Sequence, residues 1–185
     1  MKDTRFRTLL FATFSCAVLV RSASAATVHA ALKGPSSRTE APPFSLADAS
    51  GRTQQLTSYR GKVVLLNFWA TDCGGCRLEI PWLLDIDRTF QSKKVAVIGI
   101  SMDISYENLR SAAEAWTKVK PFVGSHQITY PILMGDGDVT KRYDVQALPL
   151  SYLIDARGRI AATYVGLIDR QNVEANINTL LTEHQ

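Results

Sequence analysis

Val63-Val64-Leu65-Leu66-Asn67-Phe68-Trp69-Ala70-Thr71-Asp72-Cys73-Gly74-Gly75-Cys76-Arg77-Leu78-Glu79-Ile80-Pro81 changes its hydrophobic period partway along. Residues 63–69 are almost all apolar and rich in β-branched and aromatic side chains, which predicts a strand buried on both faces. After Cys73 the apolar positions Cys76, Ile80, Leu83, Leu84 and Phe90 fall broadly on one helical face, with Asp85, Asp87 and Arg88 mostly elsewhere. A buried strand therefore feeds a helix, which Pro81 is expected to kink by removing a backbone donor. Two cysteines sit at the junction.

Two thiols three residues apart on a first helical turn can close a small disulfide that reopens readily. The helix N-terminus stabilises whichever sulfur becomes thiolate, through its dipole and its free N–H groups. A thiolate attacks a substrate disulfide, and a second thiol nearby resolves the mixed disulfide. Zinc would need two further ligands, yet His29, His126 and His184 are scattered and there is no second Cys-x-x-Cys. Covalent haem attachment needs His after the second cysteine, where Arg77 stands. A purely structural disulfide fits poorly with two glycines at a strand-to-helix turn, because they mark a place where something approaches the backbone. Redox chemistry is the reading these residues favour.

Outward from this junction the elements alternate. Residues 95–101 read as a second buried strand. Ser105 reads as the cap of a helix with Leu109, Ala112, Ala113, Trp116 and Val119 inward, ended by Pro121. Residues 132–134 suggest a short strand, 139–143 a short helix, and 151–155 with 159–165 a hairpin. Asp169 caps a last helix with Val173, Ile177, Leu180 and Leu181 inward. Upstream, residues 44–46 and 53–56 form a short hairpin across the turn 48–52. This order predicts an α/β fold: a three-layer α/β/α sandwich with a central mixed sheet, a right-handed βαβ crossover in its first half, and an N-terminal β-hairpin extension.

The chain has 185 residues, 46% of them hydrophobic and 21% charged, enough for one domain with a sizeable core. Three cysteines are too few for a disulfide scaffold, and no apolar run reaches 18 residues. The net charge of +4 invites a nucleic-acid partner until the N-terminus is read. Lys2, Arg5 and Arg7 precede a mostly apolar run over 9–20, followed by Arg21-Ser22-Ala23-Ser24-Ala25. That is the layout of a secretory signal peptide over 1–25. Its four basic residues and one acidic residue carry three of the four net charges, so the remainder is +1 and has no basic tract. Nucleic acid is thereby excluded as a partner. An uncleaved N-terminal anchor is the alternative; lipidation at Cys16 is disfavoured because Phe14 is bulky where a small residue is usual. The small, polar residues 26–41 read as a linker, and 42–185 as the domain. Its location is then the periplasm or another extracytoplasmic space, where disulfide chemistry is permitted.

Leu66 to Pro81 resembles the N-F-W-A-T-x-C-x-x-C-x-x-E-x-P signature of the TlpA/ResA/CcmG group of exported thiol–disulfide oxidoreductases, within the thioredoxin-fold and AhpC/TSA-redoxin superfamily. The similarity continues through Tyr130-Pro131-Ile132-Leu133, Tyr143-Asp144-Val145 and Leu148-Pro149-Leu150-Ser151-Tyr152-Leu153-Ile154-Asp155, with Gly158 following, and covers nearly all of 42–182. The resemblance implies a thioredoxin fold with Cys73 as the exposed nucleophile and Cys76 as the buried resolving thiol. It implies a cis-proline at Pro149 facing the pair, a substrate strand received at the Leu148 backbone, and Trp69 beside it. Glu79 matches an acidic residue that the group keeps near its cysteines. Independently, Glu79 lies three after Cys76 on the same helical face, where a partly buried carboxylate can take and return the Cys76 proton. Asp72 stands where the group has Trp or another large residue, and Gly74-Gly75 where Pro is common at the second place. All three are expected to tune the redox potential, with Asp72 also capping the helix through the Gly75 N–H.

What the resemblance implies for function is a disulfide reductase acting on protein thiol/disulfide clients of the cytochrome c maturation or metal-site assembly type. It would be kept reduced by a membrane electron donor of DsbD/CcdA type and would need no cofactor or metal. A thiol oxidase or isomerase of the same fold differs only in potential. A peroxiredoxin-like antioxidant would need P-x-x-x-T-x-x-C, but Thr71 lies two before Cys73 and no proline stands ahead of it. A copper-binding chaperone of related type would use C-x-x-x-C with a partnering His, and this spacing is one residue short.

Overall fold

The computed structural model describes residues 26–183; the expected signal peptide, Cys16 included, lies outside them. A six-stranded mixed sheet runs through the centre in the order β1 (Thr39–Glu40), β8 (Arg159–Val165), β7 (Leu150–Ile154), β4 (Val63–Trp69), β5 (Val95–Ser101) and β6 (Ile132–Met134). β4 pairs parallel with β5 and antiparallel with β7, and all seven of its residues are buried. That accounts for its near-continuous apolar run: both edges are paired and both faces covered.

The two faces of β4 lead into separate cores. Val63, Leu65 and Trp69 join α1 (Gly74–Phe90), α3 (Ala112–Ser125) and α5 (Arg170–Thr182) through Ile80, Leu83, Val119, Val173 and Ile177. Val64, Leu66 and Phe68 pack instead under the hairpin of β2 (Ser45–Ala47) and β3 (Thr53–Gln55) and under α4 (Gly137–Arg142). Asn67 is the polar break in the first row, and it points at α1. At roughly 2–5 kcal/mol per core Leu or Ile truncated to Ala, these two layers fix the register of β4.

Two expectations are corrected. Residues 26–41, expected as a linker, lie along the domain. Val28 N–H donates to Leu167 O (2.6 Å), Lys33 N–H to Ala161 O (2.8 Å) and Ala41 N–H to Gly158 O (2.9 Å). The Lys33 N–H meets β8 itself, and the other two bonds fasten the segment to the turns at either end of that strand. The helix expected from Ser105 to Pro121 is two helices, α2 (Asp103–Tyr106) and α3, separated at Asn108, whose φ is +54°. Ser111 caps α3 by accepting from the Glu114 N–H, and Ser111-Ala112-Ala113-Glu114 is the S-x-x-E pattern that makes a stronger start than Ser105. Pro121 sits inside α3; Phe122, the next residue, is held by the Trp69 ring at 5.3 Å.

Candidate active site

The strand-to-helix junction behaves as its composition predicts, with one exchange of roles. A turn closes from Cys73 N–H to Ala70 O (3.2 Å), and α1 begins at Gly74. Asp72 was the expected cap, but the cap is Cys73, whose Sγ accepts from the Cys76 N–H at 3.2 Å. The exposed Asp72 carboxylate turns outward to Arg77 (3.1 Å) and Lys118 (3.6 Å). A sulfur one residue nearer the helix can reach its first N–H groups, leaving the longer carboxylate to the surface cations. Cys73 and Cys76 are joined in a disulfide with Cα atoms 5.3 Å apart, and both are buried, so Cys73, expected as the exposed thiol of the pair, is covered in this disulfide form as Cys76 is. The N–H that caps Sγ also stabilises a Cys73 thiolate once the bond is opened.

Because β4 and β7 run antiparallel, the loop leaving β4 and the loop entering β7 share one end of the sheet. The second carries Leu148-Pro149 with a cis peptide bond. A Cβ placed on Gly75 would stand 3.2 Å from Pro149 Cδ and 3.9 Å from Leu167 Cδ2, so the second inter-cysteine glycine is where these loops close on the helix. Leu148 is half-buried beside it and Leu78 on α1 is exposed. Trp69 is different: it is buried in the core cluster that holds both cysteines, with its ring on Phe122, and offers a client no surface.

Glu79 is completely buried. Its Oε1 accepts from Ile168 N–H (2.9 Å) and its Oε2 from Asn67 Nδ2 (2.8 Å), which also donates to Ser151 Oγ (3.0 Å). It has no ion pair among the described residues. Burial pushes its pKa up to about 7, although both hydrogen bonds pull it down. The nearby Tyr130 phenol is buried and held neutral far above the usual tyrosine range, by burial first and then by the Glu79 and Asp87 charges.

A loop that sequence reasoning missed joins these parts. Gly166 N–H donates to Pro149 O (2.9 Å), Leu167 leans toward Gly75, and Ile168 N–H holds Glu79. On the other side of the junction Asp103, fully buried, accepts from the Thr71 N–H (3.1 Å), from the Thr71 hydroxyl and from Ser101 Oγ (2.7 Å), fixing the turn ahead of Cys73. Among the described residues no group of three or more His, Cys, Asp or Glu side chains is placed to hold a metal ion.

A paired dithiol at a helix start, opposite a proline loop on a mixed sheet, defines a thioredoxin-fold thiol–disulfide oxidoreductase. The chain belongs to the AhpC/TSA family, whose model matches residues 38–163. It is 32% identical over 139 residues to the thioredoxin-like protein YneN of Bacillus subtilis, covering 75% of this chain and 77% of that one. It is 30% identical to the thiol-disulfide oxidoreductase ResA of Geobacillus thermodenitrificans, covering 76% of this chain and 75% of the relative. Among solved structures it is similar to a putative thiol:disulfide interchange protein DsbE of Chlorobium tepidum, with TM-score 0.68 and 26% identity over 78% of this chain and 96% of that one.

Proposed function

We propose that the protein is an exported disulfide reductase for protein clients. The Cys73 thiolate attacks a client disulfide, forming a mixed disulfide and releasing one client sulfur as thiolate. Cys76 gives its proton to Glu79 and attacks the Cys73 sulfur, which restores the Cys73–Cys76 disulfide and releases the second client thiol. Two electrons pass to the client, and a membrane donor of DsbD/CcdA type returns two to the disulfide. Clients are cysteine pairs of the cytochrome c maturation or metal-site assembly type, received along Leu148 and Pro149. Residues 1–25 direct export, and no helix among the described residues is long and apolar enough to cross a membrane.

The observation that carries this reading is the buried Glu79 carboxylate, one helical turn after Cys76 and without a cation. Once ionised it opposes the Cys76 thiolate, and a disfavoured thiolate lowers the reduction potential rather than raising it as in a strong oxidant. A glutathione redox titration tests the direction. A potential below roughly −200 mV is expected, whereas one near about −120 mV overturns the reductase in favour of an oxidase. Cys73→Ser should abolish insulin reduction, and Cys76→Ser should accumulate mixed disulfides with client. Trapping by the Cys73→Ser variant instead reverses the two roles.

A further inference from the structure

Residues 27–30 form a short strap on the loop that joins β8 to α5. Val28 is bonded from both sides of its peptide: its N–H donates to Leu167 O (2.6 Å), and its carbonyl accepts from Asp169 N–H (3.0 Å). These bonds bracket Ile168, with which Val28 makes an isolated parallel bridge. The strap is fastened again two residues on. Ala30 N–H donates to Asn172 Oδ1 (3.0 Å), and Ala30 O accepts from Asn176 Nδ2 (2.8 Å). His29 Nε2 lies 3.4 Å from Asp169 Oδ2 on the solvent side. Under the strap the chain bends at Gly166, whose φ of +108° is a conformation that glycine adopts readily, and a Cβ there would meet Val28 Cγ2 at 3.4 Å.

The strapped loop is the one that reaches Pro149 through Gly166, Gly75 through Leu167 and Glu79 through the Ile168 N–H. A backbone donor holds a carboxylate only as firmly as its own peptide is held, and this peptide has Val28 bonded on either side. We infer that Val28 is a positioning residue: the strap fixes the Ile168 peptide against Glu79 and so sets the protonation of the acid beside the cysteine pair. The inference rests on the reading of Glu79 as the proton acceptor for Cys76.

The groups facing Glu79 are few. Asn67 of β4, with Ser151 of β7 behind it, and the Ile168 N–H do not titrate. Tyr130 titrates far above neutrality, and the cysteines on the same helix are paired in the disulfide. Asp169 and His29 lie on the outer side of the loop. Loss of the Ile168 bond therefore has a single direction. It removes a donor that favours the carboxylate, so the Glu79 midpoint, already raised, rises further.

The test is a carboxyl-carbon NMR titration of Glu79 in the oxidised full chain. Val28→Pro removes the Val28 N–H and should raise the midpoint by about half a unit or more. Val28→Ala keeps both backbone bonds and should leave it in place. Ala41→Pro removes the N–H bonded to Gly158 O at the far end of the same segment, and controls for lost stability without touching the loop. If Val28→Pro yields too little folded protein, the double variant Asn172→Ala/Asn176→Ala removes both Ala30 bonds and should move the midpoint in the same direction. An unmoved midpoint in the folded strap variants, or an equal shift in Ala41→Pro, overturns the inference. Because the titration reads the carboxyl directly, it stands apart from catalysis. Should Glu79→Gln leave turnover unchanged, the proposed role of Glu79 fails while the strap result is still read.

Discussion

Glu79 and Asp155 are both carboxylates with essentially no solvent exposure, and they behave in opposite ways. Asp155 closes the β7–β8 turn and is surrounded by positive charge. Arg38 Nη1 is at 3.2 Å, Arg159 Nη2 at 2.8 Å, and the Arg157 and Arg159 N–H groups are at 3.0 and 2.9 Å. Burial raises its pKa, but the hydrogen bonds from Arg159 and then Arg38 more than offset it, so the group lies below the usual carboxylate range. Glu79 is as hidden from solvent but set deeper in the protein, with two neutral donors in place of cations, and burial wins. Depth and the charge of the neighbours together push the two acids in opposite directions.

The largest effect separating the two is on stability. Asp155→Asn leaves the buried Arg38 with Glu183 and takes from Arg159 its carboxylate, so urea unfolding at pH 7 should show a loss of about 3–5 kcal/mol. Turnover per folded molecule should stay as it was; a loss of turnover at equal folding would break the contrast.

Glu79→Gln should do the reverse, with turnover falling by about a hundredfold at pH 7 and its inflection near neutrality disappearing. The stability signs also oppose. Glu79 has a raised pKa, so between about 4.5 and about 7 the folded state keeps a proton that the unfolded chain gives up. Stability should therefore fall on that rise in pH, by a total on the order of 3 kcal/mol, and Glu79→Gln should flatten the slope. Asp155 has a lowered pKa, so its contribution is present above the ordinary aspartate value and is lost as pH falls below it. Urea midpoints at pH 3, 5 and 8 for the two variants would show both slopes.

Asp72→Asn gives the smallest effect and sharpens the comparison from outside, since this carboxylate is exposed and already paired with Arg77 and Lys118. Removing its charge leaves those cations beside Cys73 and should lower the thiolate pKa by about half a unit, the size of one unit charge about 6 Å away in water. Thiolate absorbance against pH measures it. A midpoint that is unchanged or higher makes Asp72 only a partner for Arg77 and Lys118.

The parts of this arrangement that speak through side chains were legible in the sequence. The change of period at Cys73 located the dithiol, and Glu79 came through the resemblance with helical spacing as independent support. Pro149 and Leu148 came only through resemblance, because nothing local says that a distant X–Pro meets Gly75. Asp72 was misread because a cysteine sulfur one residue on competed for the same N–H groups. The loop 166–168 left almost no trace, since Gly166 and Ile168 act through backbone N–H groups that nearly any residue supplies. The strap was hidden for the same reason: a run of small polar residues reads alike whether it hangs free or lies against a strand.

The thinness of β1 has a further meaning. β8 is seven residues long, and an outermost strand of that length, carrying Ile160, Ala162 and Tyr164, would present a row of open N–H and C=O groups to any other extended chain. Only two residues of β1 pair with it, and the Lys33 N–H covers Ala161. The polypeptide then leaves through Ala41-Pro42-Pro43, whose prolines cannot donate to a further strand. β6, at the opposite margin, is three residues long and is preceded by Pro131. Each border of the sheet thus ends in a segment too short or too proline-bound to recruit a neighbour, which guards the domain against edge-to-edge association with another extended chain.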